Sequence, residues 1–265
     1  MKEKIRQYAL DLGADLVGFT SLQNYHSPRS DDPRKILPGA NSLVVLGLRL
    51  IDGALDCPDP RITFSSAMLD TESTGRDITY RLCRYLEKDL GCRALPTPAP
   101  PRYPMEMSQE KKGFIGPISV RHAAVAAGLG VLGKNNLIVN PRIGCRGRYL
   151  ALLTTAQLES DPPIRQDLCG DCDLCLKACP PGALDDPGQT DERKCISYCQ
   201  PFGLGGLIKF IGRFVEADLE GKKNLLRTPN FWNIHQTFTL GQNVQCHECI
   251  RVCPLGQAKN PKNQV

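Results

Sequence analysis

Cysteine spacing constrains this chain more than any other feature. Thirteen cysteines occur in 265 residues, and nine of them follow residue 160. Cys169, Cys172, Cys175 and Cys179, followed by Pro180, form C-x2-C-x2-C-x3-C-P. Three thiolates at two-residue spacing share one tight loop and can clasp three corners of an iron–sulfur cube. The fourth, just before proline, turns away towards another cube. Cys246, Cys249 and Cys253-Pro254 form a second set that is one cysteine short, and Cys195 in KCISYC is the natural supplier. Crossed ligation gives cluster 1 Cys169, Cys172, Cys175 and Cys253. Cluster 2 receives Cys179, Cys195, Cys246 and Cys249. Structural zinc prefers paired C-x2-C units, and two C-P endings argue against it. Cys199 is left over. It could replace Cys195, but four residues further along the same helix it reads as a bystander. Cys57, Cys83, Cys92 and Cys145 have no metal spacing and read as buried small apolar residues.

The rest of the chain carries a different composition. It is long enough for one large domain or two ordinary ones. Aromatics are 6% of the chain, too few for a base-stacking platform. The start MKEKIRQYAL has no apolar run or cleavage site, and no window reaches the length of a membrane span. The expectation is a cytoplasmic protein, with reduced thiols free to bind metal and no membrane partner. Residues 1–160 hold 21 Lys and Arg against 16 Asp and Glu, whereas residues 161–265 hold 12 of each. The excess of +5 therefore belongs to the first region, as a solvated surface or a patch for an anionic ligand.

Apolar periodicity places the elements. Residues 2–12 predict a helix, Ala14–Thr20 a strand, and Ser42–Leu50 a buried strand. Residues 51–72 read as loop, and Asp77–Leu90 as a second helix. Residues 94–105 carry five prolines and read as extended or irregular. His122–Ala127 predicts a short helix, and Leu137–Asn140 and Tyr149–Thr155 predict strands. A mixed α/β or α+β domain over 1–160 follows. A two-cluster, bacterial ferredoxin-type domain over 161–265 completes the chain. Within the latter, residues 206–215 form an amphipathic segment read as a core-facing helix or loop cover, with a membrane-surface helix as the lesser alternative.

Gly128-Leu129-Gly130-Val131-Leu132-Gly133 matches G-x-G-x-x-G, but the context fails. A helical stretch precedes it and a strand-like run follows, the reverse of a dinucleotide fold. The glycines imply a close backbone approach, either a simple turn or a polar ligand edge. Lys134, Asn135 and Asn136 offer donors beside them.

Taken together, AGLGVLGKNNLIVN (127–140), CGDCDLCLKACPPGAL, KCISYC and CHECIRVCP, in this order, resemble the epoxyqueuosine reductase family. KIRQYALDLGADLVGFTSL and DDPRKILPGANSLVVLGL resemble that family's opening. More distantly, the two-module plan resembles reductive dehalogenases. The resemblance implies a nitroreductase-like α/β domain that binds cobalamin, followed by two [4Fe–4S] clusters that deliver electrons to its cobalt. The loop of Gly128, Leu129, Gly130, Gly133, Lys134, Asn135 and Asn136 would then lie against the corrin. FMN, held by the nitroreductase-like fold elsewhere, ranks below cobalamin. Such domains often pair, so a homodimer is compatible, with no sequence signal for one.

Two departures stand out. The family carries an acidic proton donor two residues before a Gly-Pro pair; here the pair is Gly116-Pro117 and the position is Phe114. A phenyl ring donates no proton. Tyr103, Glu106, Glu110 and His122 lie nearby in sequence, with Tyr103 and His122 as substitute acids. The chain also ends twelve residues after Cys253, short of the helical-repeat region that contacts tRNA in longer members. Both departures lead to the expectation that tRNA is not a partner. The leading expectation is a reductase that takes low-potential electrons from an external donor and passes them to a corrinoid. The corrinoid then reduces a small substrate or is itself the product. Epoxyqueuosine reduction and a non-catalytic electron carrier are the alternatives.

Overall fold

The computed structural model describes residues 1–30, 32–97, 106–108, 113–184, 188–241, 244 and 246–257. In chain order the elements are α1 (Lys2–Asp11), β1 (Leu16–Ser21), β2 (Ser42–Arg49), α2 (Asp52–Leu55), α3 (Pro60–Thr63), α4 (Asp70–Lys88) and β3 (Ala94–Pro96). Next come β4 (Glu106–Ser108), β5 (Gly113–Ile115), α5 (Val120–Ala126), β6 (Val131–Leu132), β7 (Ile138–Val139) and β8 (Gly147–Thr154). The cysteine-rich part holds α6 (Leu174–Lys177), α7 (Glu192–Cys199), α8 (Leu204–Glu216), α9 (Leu219–Leu226), α10 (Pro229–Leu240) and α11 (Glu248–Arg251).

A four-stranded antiparallel sheet in the order β1-β2-β8-β3 organises the first part. β2 reads as an unbroken apolar run because both of its faces are covered. Val44, Leu46 and Leu48 pack with Ile5 and Ala9 of α1 and Ile78, Leu82 and Leu86 of α4. Leu43 and Val45 point the other way, into Ala123 and Ala124 of α5, Leu129 and Ile138. Each fully buried side chain of this kind contributes about 1.5–3 kcal/mol. The glycine loop thus lies on one face of the sheet and the two longer helices on the other.

Two elements differ from expectation. The stretch 51–72 is not loop: it holds α2, α3 and a π-helical turn at Phe64–Leu69 that runs straight into α4. α4 therefore begins at Asp70 rather than Asp77. Pieces of four residues complete only about one helical period, too little to leave a sequence signal. In α8, only Phe210 is buried, while Leu204, Ile208, Ile211 and Val215 are exposed. The core-facing reading of this helix is corrected. Phe210 packs on Phe231 of α10, and that neighbour covers a single stripe.

A third apolar cluster joins the sheet to the cysteine-rich part. Leu50, Leu55, Met68, Val139 and Cys145 pack with Ile250, and Cys169, Cys249, Cys253 and Leu255 lie against them. Polar groups clamp the same seam. Buried Arg146 bonds Asp52 at 2.8 Å and the Arg251 carbonyl at 3.2 Å. Arg49 bonds Asp52 at 2.7 Å and the Gly256 carbonyl at 2.6 Å. Gly144 and Gly256 meet back to back at φ +59° and +76°, and a Cβ on either would collide with a carbonyl group of the other segment. Among the described residues no helix is long and apolar enough to cross a membrane.

Candidate iron–sulfur centre

Local turns position the first cysteine set. Asp167 accepts from the N–H groups of Cys169 and Gly170, at 2.9 and 3.1 Å, and so holds the loop entry. Cys172 N–H donates to the Cys169 carbonyl at 3.0 Å, and α6 carries Cys175. Cys175 lies close enough to Cys169 and Cys253 for their charges to raise its pKa, behind burial as the larger cause. The loop thus meets Cys253, about eighty residues later, against the seam cluster.

The second set rings a cavity of about 280 Å³. Cys179, Cys195, Cys246 and Cys249 all line it, although they come from three separate stretches of sequence. Asp191 caps the N-terminus of α7 through the Lys194 N–H at 3.0 Å, and α7 brings in Cys195. The opposite wall belongs to the first region: Leu50, Met68, Arg121, Asn135, Asn136 and Arg148. Among the described residues, no three His, Cys, Asp or Glu side chains converge as a single ion would require. The thiols instead surround a volume, the arrangement that suits a cluster.

Electrostatics fits a cationic guest. Cys249 is pushed up to about 12, by burial first and then by its neighbours Cys246, Cys175 and Cys179. Cys246 is raised as well, by its hydrogen bonding with Cys199 and then by burial. These thiols cannot all ionise side by side unaided. Bound iron removes the obstacle, because a coordinating thiol is deprotonated outright.

Two of the five cysteines outside the crossed assignment lie at the centre. Cys199 lies in the cavity, its Sγ 3.7 Å from that of Cys195. Cys145 is buried at the seam, its Sγ 3.9 and 3.8 Å from the carbonyl oxygens of Cys249 and Ile250. A hydrogen bond between this thiol and that of Cys253 holds Cys253 below the usual thiol range and raises Cys145. No spacing rule marks Cys145, because its partners lie more than a hundred residues away. For Cys199, the shared helix face with Cys195 was the available signal.

The glycine loop divides. Asn135 and Asn136 line the cavity; Asn135 also donates to the Cys249 carbonyl at 3.3 Å. Asn136 adopts φ +58°, and Arg121 donates to its carbonyl at 2.8 Å. Gly128, Leu129, Gly130, Gly133 and Lys134 are not on the cavity wall. Gly128 lies against the Pro162 backbone and Gly130 against that of Val139, where a Cβ would collide. The close approach implied by the glycines is, at these two positions, to the chain itself. His122 faces elsewhere: its Nδ1 lies 2.8 Å from Ser119 Oγ, and it lines a separate groove with His26 and Asp161. Burial, then the charges of Arg121 and Arg29, lower its pKa. Tyr103 and Glu110 lie outside the described residues, as do the side chains of Glu106 and Phe114.

Residues 168–216 match the family model of a 4Fe-4S double cluster binding domain. Fold and site therefore define an iron–sulfur protein with a mixed α/β part and a double-cluster part. Within that class the chain is related to the epoxyqueuosine reductases. It is 25% identical to that enzyme from Bacillus subtilis over 98% of its own length and 64% of the relative's. It is 28% identical to the enzyme from Staphylococcus aureus, over 98% and 66%. The chain thus spans just under two thirds of these relatives.

Solved structures agree on the fold. A Bacillus subtilis epoxyqueuosine reductase, its catalytic loop swung out of the active site, superposes with a TM-score of 0.61 at 24% identity, over 98% of this chain and 66% of that one. A B12-dependent reductive dehalogenase superposes at 0.55 and 18% identity, over 91% and 36%. Another epoxyqueuosine reductase, solved with an epoxyqueuosine-modified tRNA stem loop, superposes at 0.60 and 23% identity, over 98% and 66%. That finding corrects the expectation that tRNA is not a partner. The expectation rested on chain length and on Phe114, yet the part shared with the tRNA-bound relative is nearly this whole chain.

Proposed function

We propose that this chain is a cytoplasmic iron–sulfur reductase of the epoxyqueuosine reductase type, acting on epoxyqueuosine carried by tRNA. One observation carries the reading: the second cysteine set and the Asn135–Asn136 corner of the glycine loop are walls of the same cavity. Electrons that reach those cysteines are therefore delivered at the surface of the first region. We divide the chain at residue 160, with a nitroreductase-like domain before it and a ferredoxin-like arrangement after it.

Two [4Fe–4S] clusters would be held in the crossed pattern, with Cys169, Cys172, Cys175 and Cys253 on one and Cys179, Cys195, Cys246 and Cys249 on the other. A corrinoid would supply a cobalt able to accept electrons singly. Arg121, Asn135, Asn136 and Arg148, on the cavity wall opposite the cysteines, would offer donors to its amide and phosphate groups, with Lys134 next to them in sequence. The net charge of +5 over residues 1–160 favours both that phosphate and the tRNA backbone.

Phe114 favours a second reading, in which the corrinoid itself or a small molecule is reduced and no acid is needed at that position. Anaerobically reconstituted protein, given a low-potential reductant and cobalamin, distinguishes the two. Conversion of epoxyqueuosine in tRNA is the outcome expected of the first. Reduction of cobalamin without conversion selects the second. If cobalamin neither binds nor changes its visible spectrum, both readings fail.

A further inference from the structure

The cavity holds one thiol more than a [4Fe–4S] cube has irons. Cys179, Cys195, Cys199, Cys246 and Cys249 all line it, while each iron of a cube takes one cysteine. The surplus lies on α7. Cys195 and Cys199 stand four residues apart, so they share one helix face, and their Sγ atoms are 3.7 Å apart. Cys199 is the deeper of the two, at 9% exposure, and it lines the same cavity as Cys246. It therefore shares that wall with the thiols given to the second cluster, in contact with one of them, and does not stand behind them.

Building on the two-cluster reading above, we infer that Cys195 and Cys199 are interchangeable ligands of a single iron corner. The exchange is redox-neutral. The bond from iron to the Cys195 sulfur breaks as the bond from iron to the Cys199 sulfur forms. The proton on Cys199 passes to Cys195, so the charge of the site is unchanged and no electron moves. One helical turn separates the two residues, and a change of side-chain rotamer supplies the movement. The thiol left unbound remains an S–H donor to its bound neighbour.

Full-length Cys195→Ala, Cys199→Ala and the double variant, reconstituted anaerobically, test this through iron content and the low-temperature EPR of the reduced protein. Serine at the same positions, with far-UV circular dichroism, checks that each variant folds. The parent should hold about eight irons. Each single variant should also hold about eight, with the second-cluster EPR signal shifted in at least one. The double variant should fall to about four. A fall to about four in Cys195→Ala alone makes Cys199 a spectator and overturns the inference. The mirror result makes Cys199 the sole ligand and overturns it equally. Eight irons in the double variant place the fourth ligand elsewhere. A parent that never exceeds about four irons sinks the two-cluster reading itself, and is thereby told apart from failure of the exchange.

Discussion

At the scale of single residues, burial separates cysteines that sequence spacing alone treats alike. Cys83, in the α1–α4 core, is pushed up to about 12 by burial and then by Glu87. In the unfolded chain the same thiol ionises near its ordinary value of about 8.5. The neutral form is thus preferred by the folded state. The associated stability is intact below the unfolded pKa and is lost as pH rises towards the folded one. Raising the pH from 8 to 10 should cost about 1–2 kcal/mol through this residue. Denaturant unfolding of the parent and Cys83→Ala at both pH values reads the effect. The alkaline loss should be smaller in the variant by that amount, and equal losses would show that Cys83 does not contribute. The two cysteine runs stand out in the sequence because their members lie three or four residues apart along the chain. Cys145 does not, since its role depends on α11 folding back onto the sheet.

Among elements, α7 bears most on the site. It is only eight residues long, and a helix that short is marginal without a cap. Asp191 provides the cap, and its own N–H donates to the Ala183 carbonyl at 2.9 Å. Asp191→Ala removes one capping bond, at a cost of about 1 kcal/mol. Because α7 carries Cys195 and Cys199, that loss should fall on one cluster. The variant should release about half its iron to a chelator faster than the parent does, while the other half leaves at the parental rate. Uniformly faster release of all the iron would refute a local role for α7. Elements of this scale were legible where a period repeats: α1, β2 and β8 came out within two residues of the expected ends. α2 and α3 did not, because four residues complete about one period. The apolar stripe of α8 was visible, but not how little of it α10 covers.

At the scale of the molecule, the sheet and the cysteine-rich part meet at a seam too tight for a methyl group. Gly256 follows the last cysteine set by three residues and presses on the backbone at Ile143 and Gly144. Its left-handed conformation, at φ +76°, already disfavours any other residue by about 1–2 kcal/mol. A Cβ there also needs space that the Ile143 carbonyl occupies, so one of the two backbones must retreat. Arg49 holds the Gly256 carbonyl, and Arg146 holds that of Arg251, so retreat would loosen both clamps together. The glycine loop motif drew attention in the sequence. Gly144 and Gly256 did not, because neither carries meaning until the other is opposite. Gly256→Ala should therefore destabilise the iron-loaded protein by more than about 2 kcal/mol in denaturant unfolding. It should also speed iron loss from the cluster that includes Cys253. Gly53→Ala is the control: it lies in α2 with nothing within 4 Å of the added methyl. A helical glycine replaced without strain should leave stability unchanged or raise it by up to about 1 kcal/mol. Equal stability of the two variants would mean that the seam yields, and that the two parts of the chain do not hold each other in place.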